Sequence, residues 1–291
     1  MSRISKLLFS VILIANIVYA EMIEVSSFDT DGTAYDVVTR GNLAYIADGQ
    51  DGLRIIDISD PEEPEEVGSL DTDGSALAVV VQGDLAYIAD GMGGLVIVDI
   101  SDPAEPQAIG EFSAERSLIN GVAVAGDNVY LTDLMNGMRI IDISDPERPE
   151  QISIYDTPDL PQGLFIAGNY AYIADRRSGL QIVDISNPEE PDGIGSFDTD
   201  GEANAVAVQG DYAYVADKAS GLRIIDISDP TSPEDAGDYN TFGLSFDITL
   251  NEHYAYVADG AAGLYVINVS TPDRPRRVGR RNTPGTAYGA F

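Results

Sequence analysis

Residues 94–103 read GLVIVDISDP, and the string returns with small changes at 52–61 (GLRIIDISDP), 137–146 (GMRIIDISDP), 179–188 (GLQIVDISNP), 221–230 (GLRIIDISDP) and 263–272 (GLYVINVSTP). One column of the pattern falls on Asp57, Asp99, Asp142, Asp184, Asp226 and Asn268, in steps of 42 or 43 residues. In each copy the apolar residues run on without the alternation of a half-exposed strand, which marks a strand covered on both faces. Around that strand every unit holds three more stretches rich in Val, Ile and Tyr, separated by Gly, Pro, Asn and Asp turns. In the first unit the four stretches, here A to D, are Tyr35–Arg40, Leu43–Ala47, Leu53–Ile58 and Glu66–Leu70.

Four antiparallel strands in roughly 40–45 residues make one blade of a β-propeller, and packing blades around a ring covers both faces of every sheet. The expected class is therefore all-β, a propeller of four-stranded antiparallel blades, in one domain over residues 21–291. Six complete repeats fall at about 33–74, 75–116, 117–159, 160–201, 202–243 and 244–285. A partial seventh begins at 286–291, where TAYGAF matches the TAYDVV of 33–38. An isolated strand D is expected at Glu24–Thr30, where EVSSFDT matches the EVGSLDT of 66–72.

The strings LVIVDIS at 95–101, LRIIDIS at 53–59 and LQIVDIS at 180–186 resemble the LVIVD repeat family, found in exported bacterial and archaeal proteins. The resemblance runs over residues 23–291 and implies a propeller. It implies no catalytic residues, because the family has no catalytic motif to carry over. The last unit departs from the pattern at Asn268 and Thr271.

Composition narrows the chemistry. With no Cys, no Trp and one His in 291 residues, thiol nucleophiles, Cys-ligated metal clusters and His-rich metal sites are excluded. A net charge of −33 repels phosphate backbones and anionic membrane surfaces, so nucleic acid is excluded as a partner. An acidic, Lys-poor surface is also what a high-salt environment favours. Residues 1–20 read as a signal peptide: Arg3 and Lys6 ahead of the apolar run Leu7 to Val18, then Val18-Tyr19-Ala20 as a cleavage site. The expected location is secreted, periplasmic or at the cell surface, with no membrane insertion after cleavage.

Two sets of residues are candidates for a site. In an antiparallel blade the D–A and B–C turns lie at one end and the A–B and C–D turns at the other. The first end carries the DTDG turns, whose Asp29, Asp31, Asp71, Asp73, Asp198 and Asp200 offer hard oxygen ligands to Ca²⁺. The same residues also suit turns that need no ion, since Asp caps backbone N–H groups. The second set lies on strand A, where Asp36, Asn120, Gln162, Asn204 and Asp247 line the expected channel and can present oxygens and amides at its mouth. The Asp57-type column is expected to be buried and hydrogen-bonded. No nucleophile elbow or phosphate loop occurs, and His253 reads as an exposed turn residue. The cluster Arg274, Arg276, Arg277, Arg280 and Arg281 stands alone as an exposed basic edge. The functional expectation is a non-catalytic scaffold that binds a protein or glycan. The alternatives are a calcium-stabilised structural module and, behind it, a hydrolase with its site at the channel mouth.

Overall fold

The computed structural model describes residues 6–7, 25–283 and 285–290. Six sheets of four antiparallel strands follow one another along the chain, each hydrogen-bonded in the order A, B, C, D. The innermost A strands are Asp36–Arg40, Ala78–Gln82, Ile119–Ala125, Gly163–Ala167, Ala205–Gln209 and Asp247–Asn251, and each packs against the next. The outermost D strands are Glu65–Leu70, Gln107–Phe112, Glu150–Tyr155, Asp192–Phe197, Glu234–Tyr239 and Arg276–Arg281. Six four-stranded blades thus form a propeller ring, as the period implied.

The core lies between blades. Leu53 and Ile55 of blade 1 pack with Val79, Ile88, Val96 and Val98 of blade 2, while Ile56 faces the other way toward Phe28 and Val37. This two-sided burial is why strand C has no polar alternation. Each fully buried Leu or Ile of that strand contributes about 1.5–3 kcal/mol of hydrophobic stabilisation.

Each D strand carries a register shift, in five blades beside a glycine, as between Ile55 and Ile56 where Gly68 pairs with Ile55, and in blade 3 beside Ser153. The glycine lets the C–D turn of the following blade approach closely. A Cβ at Gly68 meets the Pro103 carbonyl oxygen at 2.1 Å, and one at Gly110 meets that of Pro146 at 2.0 Å.

The ends of the chain meet at the seam between blades 6 and 1 and hold the places of a seventh blade. Ala287 bridges to Gly260 just as Ala76 bridges to Gly49. The Ala290 N–H donates to the Asp247 carboxylate at 2.9 Å, as the Val79 N–H does to Asp36 at 2.9 Å. On the far side a Cβ at Gly289 meets the Tyr35 carbonyl oxygen at 3.2 Å, the relation Gly163 has to Asn204 in the next blade. Residues 285–290 therefore sit as a seventh inner strand, although only Ala287 forms a bridge and no continuous strand develops. Ser26 donates to the Pro61 carbonyl as Ser153 does to that of Pro188, which puts the N-terminal segment in the place of a seventh strand D.

One expectation at this seam needs correction. The isolated strand D spans only Phe28–Asp29, shorter than 24–30 because a single short partner, Lys6–Leu7, pairs with it; residue 24 lies outside the described residues. The signal-peptide segment 1–20 likewise lies outside the described residues, apart from Lys6 and Leu7.

Candidate functional site

The end of the ring that carries the D–A and B–C turns is built around six fully buried aspartates: Asp48, Asp90, Asp133, Asp175, Asp217 and Asp259. Each begins a B–C turn and ties down the D–A turn that leads into its blade. Thr30 donates its hydroxyl to Asp48 at 2.7 Å and the Gly32 N–H follows at 3.1 Å. Thr72 and Gly74 repeat this on Asp90, at 2.5 and 2.8 Å, and Thr199 and Thr241 donate to Asp217 and Asp259. The DTDG motif is thereby explained: its Thr and Gly point inward to the carboxylate, and its two Asp point out.

Burial pushes up the carboxyl pKa of Asp48, Asp90, Asp217 and Asp259, and that of Asp175 reaches about 6. Asp133 goes the other way. Burial opposes its charge, yet donors from Leu118, Asn136, Met135 and Arg139 outweigh that cost and hold its pKa low. Arg139 is itself buried and donates Nε to Asp133 at 2.7 Å.

The candidate calcium ligands Asp29, Asp31, Asp71, Asp73, Asp198 and Asp200 are all exposed, spread over three separate turns. The Asp71 and Asp200 side chains are each 81% exposed and face Arg54 and Arg223. Among the described residues no group of three or more Asp, Glu or His side chains is arranged to hold a metal ion.

The Asp57-type column differs from expectation. Asp57, Asp99, Asp142, Asp184 and Asp226 do accept hydrogen bonds, from the N–H two residues on, but they lie at the rim in contact with solvent. The N–H of Ser59 holds the Asp57 carboxyl below its ordinary pKa, and Ser101, Ser144 and Ser186 do the same in their blades. These are Asx turns that open the Ser-Asp-Pro loop.

On the inner strands four of the five candidate residues are engaged between blades. Asn120 donates to the Gln162 carbonyl at 2.7 Å and Asn204 to that of Phe246 at 2.6 Å, each reaching the next blade. Gln162 turns back to the Leu160 carbonyl at 3.0 Å. Asp36 and Asp247 clip successive inner strands through the Val79 and Ala290 N–H groups. The two carboxylates flank the seventh inner segment. Desolvation, with the charge of Asp247 behind it, raises the Asp36 pKa to about 7, and desolvation also raises that of Asp247. Above them Tyr288 packs between Tyr35 and Phe246, with ring centroids 5.9 and 5.2 Å away.

What the sequence pattern did not reveal is the character of the turn tips at this end. The third residue of the B–C turn is Gln50, Met92, Met135, Arg177, Ala219 and Ala261 in the six blades, set between an invariant Asp and an invariant Gly. Met92 is 82% exposed and Met135 66%. In the D–A turn before blade 6, Phe242 stands where other turns carry Asp31, Asp73 or Asp200; it is 82% exposed at φ 66°, a conformation rare for a bulky side chain. Buried Thr241 beside it, bonded to Asp259 at 2.6 Å, holds the turn in place. The signal was available in the alignment of the units, as a variable position inside a constant frame. At the opposite end five of the six A–B turns repeat Gly-Asn or Gly-Asp, with Glu252-His253 in the sixth, and four of the six C–D turns repeat Ser-Asp-Pro, with Asn187 and Thr271 at the middle place in the other two.

A model of the LVIVD repeat matches residues 31–72, 73–113, 119–157, 161–199, 200–241 and 243–283. The chain belongs to the LVIVD repeat family. Its six matched LVIVD repeats coincide with the six blades, each match running from a D–A turn to the next. Solved structures share the architecture at low identity. A functionally unknown protein from Desulfotomaculum acetoxidans is 15% identical, with a TM-score of 0.74 over 94% of this chain and 92% of that one. The WD40 repeats of RRP9 are 9% identical, with a TM-score of 0.72 over 89% and 84%. The computationally designed Ika8 protein is 11% identical, with a TM-score of 0.69 over 90% and 80%. These likenesses show the fold alone. No curated protein matches the LVIVD chain.

Proposed function

We propose that this chain is an exported, non-catalytic scaffold that binds a protein or glycan partner through the end bearing the D–A and B–C turns. The observation that carries the reading is the set of tips at that end. A rigid frame of buried Asp–Thr clips presents exposed apolar residues, Met92, Met135 and Phe242, where the repeat itself asks only for small or polar ones. Exposed apolar side chains on loops held by a stiff scaffold are the usual composition of a recognition surface. Methionine suits such a surface because its flexible thioether adapts to a partner. The inner-strand carboxylates support the non-catalytic reading, since backbone N–H groups already engage Asp36 and Asp247.

The test is capture. The purified chain is presented to glycan arrays and to extracellular protein fractions beside the triple variant Met92→Ser, Met135→Ser, Phe242→Ser. The proposal expects a retained partner that the variant loses while its melting temperature is unchanged. Retention by both, or binding by neither, overturns it. Export is checked separately by N-terminal sequencing of the chain recovered outside the cell, where a start at Glu21 is expected.

A further inference from the structure

The outer strand of blade 6, Arg276–Arg281, reverses the charge of every other outer strand. The six D strands read EEVGSL, QAIGEF, EQISIY, DGIGSF, EDAGDY and RRVGRR. In a chain of net charge −33, five Arg fall within the eight residues 274–281. Arg276, Arg277 and Arg280 are exposed, and none of the three forms a salt bridge among the described residues, although the charge of Arg280 acts on the buried Asp259. Arg277 and Arg280 lie over the Tyr265 ring at 6.0 and 5.2 Å, and Arg280 also donates to the Ala262 carbonyl.

This strand is also less covered than its counterparts. Val278 is 41% exposed, whereas Val67, Ile109, Ile152 and Ile194 in the same column pack against core clusters. In blades 1, 2, 4 and 5 the C–D turn of the following blade lies against the glycine of the D strand. The strand bonds to its own blade on one side only and presents a row of open backbone groups on the other.

We propose that this basic edge is an interface between copies of the chain, in which Arg276–Arg281 of one copy pairs antiparallel with Glu234–Tyr239 of another. The second strand is the acidic counterpart: Glu234, Asp235 and Asp238 are exposed at both of its ends, and it too is the open edge of its sheet. One antiparallel register sets Arg277 opposite Asp238 and Arg280 opposite Asp235, with Val278 against Gly237. Directly opposed side chains share a face and interact. Asp235 also meets Arg223 at 3.1 Å but stays 55% exposed, so its carboxylate is open to a second cation. Like charges forbid basic edge on basic edge and acidic on acidic, so the contact is head to tail and can propagate. Six-residue edges make a small interface, and association in the range of about 10 µM to about 1 mM is expected.

Sedimentation velocity of the full chain tests this. At about 0.15 M salt, where charges are screened beyond about 8 Å, the long-range repulsion of two acidic molecules is damped and the contact pairs persist. The sedimentation coefficient is then expected to rise with concentration, and to return to the monomer value near 1 M salt. The variant Arg277→Glu, Arg280→Glu and the variant Asp235→Lys, Asp238→Lys each stay monomeric alone. Mixed, they associate again, because each now offers the edge that the other lacks, and this recovery shows that both are folded. A wild-type chain that is monomeric throughout, or a mixture that fails to recover association, overturns the proposal.

Discussion

Replacing Asp133 by Asn tests how the recognition end is held together. Oδ1 of Asp133 accepts the N–H groups of Leu118 and Met135, both at 3.0 Å. Oδ2 accepts Ser117 Oγ at 2.9 Å, Asn136 Nδ2 at 2.8 Å and Arg139 Nε at 2.7 Å. An amide can keep the first pair, but it sets an NH₂ group against three donors and strands the buried guanidinium without its counter-charge. Breaking one partner of a buried ion pair costs about 3–5 kcal/mol. Asp90→Asn is the matched control. Asp90 is equally buried, but strand C places Val96 where blade 3 has Arg139, and its second oxygen holds only the Gly74 N–H. That substitution removes an unpaired buried charge along with one hydrogen bond, and its net cost is about 0–2 kcal/mol. Urea unfolding followed by far-ultraviolet circular dichroism at pH 7 reads both. The expected result is a loss about 2–3 kcal/mol larger for Asp133→Asn, shrinking in the double variant Asp133→Asn, Arg139→Met, where no guanidinium is stranded. Equal losses in the two single variants, or a greater one at Asp90, refute the reasoning.

Acidification from pH 8 to pH 5 is expected to raise the melting temperature. Asp36 and Asp175 titrate near 7 and near 6 in the folded chain and at 3.8 as free groups, so the folded state binds their protons more tightly; protonation through that window favours folding. Asp36→Asn flattens the profile, and a melting temperature that falls steadily over the same range contradicts the assignment. Gly68→Ala is expected to cost about 2–3 kcal/mol by overpacking, because its Cβ meets the Pro103 carbonyl. Gly83→Ala, with open space around it but φ +58°, costs about 1 kcal/mol; chemical unfolding checks the order of the two. Millimolar Ca²⁺ against a chelator is expected to leave the melting temperature unchanged, since the DTDG carboxylates are spread over separate turns; a rise of several degrees contradicts that reading of the turns.

The blades were legible because every strand is bounded by its own punctuation. Gly52 and the Ser59-Asp60-Pro61 turn bracket strand C, and a glycine and a Ser-x-Pro turn recur in each unit, so strand limits follow within a residue or two. The environments of the two aspartate columns were not legible. Asp48 and Asp57 both end apolar strands, yet Asp48 is fully buried and Asp57 is not. The difference arises from the D–A turn, which folds over Asp48 and supplies Thr30 and Gly32, while the Ser-Asp-Pro loop leaves the rim open. That covering is a contact between segments 16 to 18 residues apart, which no local pattern encodes. The inner-strand candidates follow the same logic. Asn120, Asn204, Asp36 and Asp247 were recognisable as polar residues facing a channel, but their partners lie on the next inner strand, 42 or 43 residues on, and appear only when the ring is assembled. The seventh inner position was visible in the TAYGAF match, and the contacts of Gly289 and Ala290 with both neighbouring blades account for it.

The claim at the centre of this account is that partners are met at the end bearing the D–A and B–C turns. Hydrogen exchange of the chain, free and saturated with a captured partner, tests it most directly. Protection is predicted at residues 90–93, 133–136 and 240–246, around Met92, Met135 and Phe242. Protection confined to the C–D turns at the opposite end, such as residues 59–64 and 101–106, contradicts it.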